Sequence, residues 1–168
     1  MSERDDEEPG RLPAYISPEG YRKLAAELEH LGRVERPRVV NEVSDAAAQG
    51  DRSENAEYIY GKKRLREIDK RMGFLSARLD KVVVVDAREN KDRKHVWFGA
   101  TVTVEDENGK RSTYTLVGED EIDATGGRIS IQSPMARALL KRSKGDWCTV
   151  RRPVGEVEVQ VVDVKYNL

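Results

Sequence analysis

Tyr58, Leu65, Ile68, Met72, Leu75, Leu79 and Val82 follow one another in steps of three and four residues once Gly61 is given the place between Tyr58 and Leu65. That rhythm is the seam of a coiled coil, and a helix carrying it has to bury the stripe against a second helix. A matching stripe lies upstream: Tyr21, Leu24, Leu28 and Leu31 keep the same spacing, followed by Val39, Val40, Val43 and Ala47. The stretch Gly50-Asp51-Arg52-Ser53-Glu54-Asn55-Ala56-Glu57-Tyr58 lies where the first pattern stops and the second starts. The chain therefore reads as an antiparallel helical hairpin with an acidic tip.

Ser17-Pro18-Glu19 gives the first helix a capping hydroxyl, a proline at the first helical position and an acid in the first turn. The helix should run to about Gln49. Pro37 lies inside it and removes one backbone hydrogen bond, so a bend is expected near Val34 to Arg36, where the seam also loses register. The second helix is expected from Glu54 to about Asp80, an arm on the order of 40 Å long at about 1.5 Å per residue.

Beyond Val82-Val83-Val84-Val85 and the charged stretch Asp86 to Lys94, the period changes from helical to alternating. Val96 to Val104 reads as a strand, Glu107-Asn108-Gly109-Lys110 as a hairpin turn, and Ser112 to Val117 as the returning strand. Arg128 to Ile131 follows as a further strand, and Ser133-Pro134 opens a short helix expected over Met135 to Arg142. Trp147 to Arg151 and Val157 to Val164 complete a small antiparallel sheet. The fold class is α+β, divided into an acidic tail (1–14), the hairpin domain (15–86), a linker (87–95) and the sheet domain (96–168).

Charged residues make up 36% of the 168, yet the net charge is −1, so the whole molecule is neither a basic nucleic-acid binder nor an acidic tail protein. Polarity has to be local. The single Cys148 excludes an internal disulfide and, between Trp147 and Thr149, reads as a core thiol. The opening Met1 to Glu8 lacks the basic and apolar regions of a signal peptide, and no apolar run nears the roughly 20 residues that cross a bilayer. A cytoplasmic protein that does not engage membranes is expected. His30 and His95 have no ligand-type neighbours at metal spacing, and a nucleophile elbow, a phosphate loop and a dinucleotide fingerprint are missing. Catalysis by the chain alone is not expected.

Two features carry chemistry. Asp51-x-x-Glu54 fits a capping box, with Gly50 closing the preceding helix; equally, two exposed carboxylates are hard oxygen donors of the kind Mg²⁺ takes alongside water and phosphate. Spacing leaves both readings open. In the second helix Arg64, Arg71 and Arg78 fall at successive g positions, where pairing with acids such as Glu27, Glu29 or Glu35 is the ordinary role. Lys62, Lys63, Arg66 and Lys70 lie off the seam and are candidates for contact with a polyanion.

The tip segment, the run Lys62 to Asp69 and Ile129-Ser130-Ile131-Gln132-Ser133-Pro134-Met135-Ala136-Arg137-Ala138-Leu139-Leu140 resemble the Gre family of bacterial transcript cleavage factors, and the basic run is similar to its GreB branch. The likeness extends from about Tyr15 to the C-terminus. It implies a coiled coil that enters the secondary channel of RNA polymerase and an FKBP-like C-terminal domain that docks outside. The family's acidic tip pair falls on Asp51 and Glu54, which would help hold the second catalytic Mg²⁺ of the polymerase while its own aspartates hold the first. In line hydrolysis of backtracked RNA would follow two-metal logic. Lys62, Lys63, Arg66 and Lys70 would contact the RNA 3′ segment, and Gln132, Ser133 and Pro134 form the docking loop, although other members often carry an acid in place of Gln132. The implied factor is a monomer that binds no cofactor alone and is not itself an enzyme. The competing readings are a channel-binding regulator without cleavage and, from the FKBP-like fold alone, a peptidyl-prolyl isomerase.

Overall fold

The computed structural model describes residues 11–50 and 54–167, which form two compact units: residues 21–81, and residues 11–20 together with 82–167. In the first, α1 (Pro18–His30) continues through a widened turn, Leu31–Glu35, into α2 (Arg36–Ala48), and α3 (Ala56–Lys81) returns alongside. The pairing is antiparallel, since Asn55 reaches Ala46 at the tip while Arg36 meets Asp69 and Glu27 meets Arg71 farther along.

Ser17 caps α1 as its sequence implies, its Oγ accepting from the Gly20 amide at 3.0 Å. The irregularity expected near Val34–Arg36 is a π-turn over Leu31–Glu35, in which the Arg36 amide donates to the Leu31 carbonyl five residues back. Pro37 is its cause: it has no N–H for the carbonyl four residues earlier and its ring crowds that oxygen, and one extra residue in the turn relieves both. The seam shows the consequence. Its buried positions in α3 are Gly61, Ile68 and Leu75, seven residues apart each time, whereas opposite them stand Leu24, Leu31, Val39 and Ala46, spaced seven, eight and seven. The extra residue sits in the π-turn. Gly61 fills a core position where a Cβ would lie 2.5 Å from Val43 Cγ2. Each fully buried Ile or Leu of the seam contributes about 1.5–3 kcal/mol.

Arg71 forms a two-armed bridge to Glu27, 2.9 Å on both arms, the ordinary role expected of a g-position arginine. Arg64 instead pairs within its own helix, 3.5 Å from Glu67. These exposed pairs add about 0–1 kcal/mol each.

In the second unit β1 (Tyr15–Ile16) and β2 (Val83–Val84) form a two-stranded parallel ladder that the sequence reading did not foresee. Close by, the Glu121 carboxylate accepts from the Ser17 amide (3.1 Å), the Ser17 hydroxyl and the Gly118 amide (3.2 Å). The main sheet has the order β5-β4-β3-β7-β6, built from β3 (Thr101–Asp106), β4 (Arg111–Val117), β5 (Arg128–Ser130), β6 (Trp147–Arg152) and β7 (Gly155–Lys165). Its neighbours are antiparallel except β5, which joins β4 in parallel after the chain loops out through a 3₁₀ turn at Glu119–Glu121. The first strand starts at Thr101, five residues later than its alternation suggests, because Val96 pairs by backbone with Lys141 and Arg142 and the chain turns at Trp97–Ala100. The turn at Asn108-Gly109 forms as expected, with Gly109 at φ +79°. One sheet face buries Val102, Val104, Val150, Val159 and Val161 with Ala136 and Leu139 of α4 (Pro134–Leu139). Cys148 is buried in the same core, and burial pushes its thiol pKa up, which makes it a poor nucleophile.

Candidate functional site

The hairpin tip is closed by Asn55. Its side-chain oxygen accepts from the Tyr58 amide at 3.1 Å, capping α3, while its Nδ2 donates to the Ala46 carbonyl at 2.7 Å near the end of α2. One amide thus joins the last turn of one helix to the first turn of the other. Gln49 also donates to Ala46, and Gly50 turns the chain away at φ +139°, in the region only glycine adopts without strain.

The cap of α3 lies beside the Asp51-x-x-Glu54 pair. A box on those residues would begin the helix at about residue 52, but α3 begins at Ala56 with Asn55 as its cap. Glu54 is exposed, and its carboxylate has no hydrogen-bond or ion-pair partner among the described residues. Asp51 lies outside the described residues.

Lys62, Lys63, Arg66 and Lys70 all lie on α3 and are all exposed. None has an acidic partner among the described residues, in contrast to Arg64 and Arg71. At about 100° per residue, all four point away from the Gly61–Ile68–Leu75 seam, and Ile59 lies on the same side, 52% exposed. Tyr60, 70% exposed, stands at the edge of that face. Phe74 is exposed too, but the Arg71 guanidinium lies 5.2 Å from its ring centre. A molecule of net charge −1 thus carries a locally cationic face running back from its tip.

The remaining candidates sit before α4, in the second unit. Ser133 caps that helix, its Oγ accepting from the Ala136 amide at 3.3 Å, and Pro134 occupies its exposed first turn. Gln132 is half-buried. Its Nε2 donates to the Leu12 carbonyl at 2.7 Å, its Oε1 accepts from the Leu12 amide at 3.4 Å, and Arg137 reaches the same oxygen at 3.3 Å.

The sequence reading missed Asn55 and the Leu12 contact. Asn55 had a local signal, a cap residue followed by Ala56 and the first-turn acid Glu57; Leu12, 120 residues from Gln132, had none. Among the described residues no group of three or more His, Cys, Asp or Glu side chains could hold a metal ion.

Residues 14–84 match the family described as "Transcription elongation factor, N-terminal", and residues 89–166 the one described as "Transcription elongation factor, GreA/GreB, C-term". The chain belongs to the GreA/GreB family of transcription elongation factors. It is 52% identical over 151 residues to transcription elongation factor GreB of Pseudomonas aeruginosa, spanning 90% of this chain and 89% of that one. With GreB of Yersinia pestis it shares 50% identity over 153 residues, 91% of this chain and 89% of the relative. Among solved structures, GreA factor homolog 1 of Thermus thermophilus is 24% identical with a TM-score of 0.42, covering 92% of this chain and 99% of its own. Within the family the chain sides with the GreB-named members, as its basic α3 implies. No helix among the described residues is long and apolar enough to cross a membrane.

Proposed function

We propose that this elongation factor inserts its hairpin into the secondary channel of bacterial RNA polymerase and stimulates the polymerase's Mg-dependent cleavage of backtracked RNA, releasing arrested complexes. The observation that carries the reading is that Asn55 caps α3 and that Glu54, exposed and without a hydrogen-bond or ion-pair partner among the described residues, stands at the end of an arm about 39 Å long, at about 1.5 Å per residue over 26 residues.

Glu54 offers one hard oxygen donor set and, with Asp51, would complete a coordination sphere whose other ligands come from the polymerase, water and RNA. Magnesium takes only one or two carboxylates from a given protein, and water and phosphate supply the rest. A magnesium ion held there by Glu54 and Asp51 would supply a water of lowered pKa and charge stabilisation for the leaving oxygen. The chain's own contribution is placement: the Asn55 bridge fixes the backbone next to Glu54, and Lys62, Lys63, Arg66 and Lys70 hold phosphates of the extruded 3′ segment along α3. The loop Gln132-Ser133-Pro134 docks the second unit at the channel rim. The factor is not itself an enzyme, and it works as a monomer in the cytoplasm with the polymerase.

The test is to add the chain to stalled, backtracked elongation complexes and follow RNA length. Wild type should shorten the RNA. Glu54→Ala should lose most of that stimulation while binding polymerase nearly as well. Wild-type binding without shortening would instead assign a channel regulator that does not act through cleavage.

A further inference from the structure

Tyr60 stands one turn into α3, 70% exposed, and neither its hydroxyl nor its ring has a partner among the described residues. Phe74, the other exposed ring of this helix, is engaged from within: the Arg71 guanidinium lies 5.2 Å from its centre and is itself held by both oxygens of Glu27. Tyr60 lacks such a cation. Of the two basic residues one turn farther along its flank, Arg64 is turned to Glu67 at 3.5 Å, and Lys63 has no acidic partner among the described residues. An open ring thus borders an open ammonium.

Position along the helix gives the ring its use. Counted from the tip, Tyr60 precedes Lys62, Lys63, Arg66 and Lys70, and at about 1.5 Å per residue its Cα lies about 4.5 Å along the axis ahead of Lys63 and about 15 Å ahead of Lys70. Glu54 lies beyond it, at the tip. A single strand whose phosphates follow those four cations toward Glu54 therefore passes Tyr60 last. The exposed acid nearest in the helix, Glu57, is three residues closer to the tip, so negative charge is kept to the metal end of the path and positive charge to the strand end. Rings set among cations are how proteins hold single strands without reading their sequence, because every base has a π-face.

We propose that Tyr60 stacks on a base of the extruded RNA, on the tip side of the α3 cations, and so fixes the register in which the strand is presented to Glu54. The proposal rests on the reading that the RNA lies along α3, and deepens it: the cations hold the backbone and Tyr60 holds a base. The ring carries the contact, and the hydroxyl is dispensable.

The test uses backtracked elongation complexes made with two RNAs, one with ordinary bases throughout and one with abasic nucleotides in the extruded segment. The factor concentration for half-maximal cleavage is measured for wild type, Tyr60→Phe and Tyr60→Leu, the last keeping apolar bulk and helix-forming tendency without a π-face. On ordinary RNA Tyr60→Leu should need at least about five times more factor than wild type, the low end of what one base stacked on an aromatic ring contributes, and Tyr60→Phe should match wild type. On abasic RNA all three should coincide. Equal potency of Tyr60→Leu and wild type on ordinary RNA would overturn the proposal and leave the polymerase reading standing. A Tyr60→Leu defect that persists undiminished on abasic RNA would also overturn it, because the ring would then be meeting a protein surface. If wild type shortens neither RNA, the polymerase reading fails and takes the stacking contact with it.

Discussion

The close approach of α2 and α3 at Gly61 makes one substitution behave oppositely at two places in the same helix. Replacing an interior helical glycine by alanine is intrinsically worth about 1 kcal/mol. At Gly73 a Cβ would meet nothing within 4 Å, so Gly73→Ala should stabilise the hairpin by about that amount. At Gly61 the same Cβ would lie 2.5 Å from Val43 Cγ2 and 3.7 Å from Val43 Cβ. Overpacking costs about 1–3 kcal/mol, so Gly61→Ala should be between neutral and destabilising by about 2 kcal/mol after the propensity gain. A Val43→Ala background removes the obstructing methyl, and there Gly61→Ala should recover its gain, giving a coupling of about 1–3 kcal/mol between the two positions. Urea unfolding followed by far-ultraviolet circular dichroism reads the helical hairpin directly. If Gly61→Ala stabilises as much as Gly73→Ala in the native background, the helices are not in contact at Val43 and the assignment of Gly61 to the seam is wrong.

Three further outcomes are expected. Asn55→Ala should cost about 2 kcal/mol, one for the cap and one for the bridge to Ala46, and expose the Tyr58 amide to hydrogen exchange; Asn55→Asp should keep that amide protected and cost about half as much. Neutralising Lys62, Lys63 and Arg66 together should lower the salt slope of RNA-dependent binding to backtracked complexes by up to about 2, at roughly 0.7 per lost phosphate contact, and an unchanged slope would leave these residues as a solvated face. The hydrogen bond from Arg71 holds the Glu27 carboxyl below its ordinary range against a smaller opposing effect of burial, so its stabilisation is present above the unfolded value of about 4.3 and is lost as pH falls through the lower folded value. Glu27→Gln should accordingly flatten the acid limb of stability against pH, weakly, because the pair is 45% and 41% exposed, and less still in high salt.

What the sequence made legible was whatever burial writes as a period. The stripe from Tyr58 to Val82 needed a partner helix, and the place of Gly61 in it follows from spacing alone. Ser17, Asn108-Gly109 and Ser133-Pro134 carry local turn and cap chemistry strong enough to survive folding. The two-residue strands β1 and β2 are too short to show a period, and Val96–Ala100 alternates like a strand yet turns, because Val96 finds its backbone partners at Lys141 and Arg142. At the tip the acids Asp51 and Glu54 obscured Asn55, the residue that caps α3.

Pro37 shows how a local defect and the tertiary seam settle on one solution. Without an added residue, the helix after the proline would keep its ordinary twist while the apolar positions beyond Leu31 arrive one step late, turning Val39 and Ala46 about 100° away from α3. Because Gly61, Ile68 and Leu75 hold an unbroken seven-residue repeat, the correction has to be made in the opposite strand of the hairpin. It is made where Pro37 has already weakened the helical bonding, in the π-turn at Leu31–Glu35. Val39 and Ala46 are thereby returned to the seam, 2% exposed each, and the Ala46 carbonyl comes within reach of Asn55. The placement of Glu54 at the tip thus depends on a single extra residue about three to four turns of helix below Ala46.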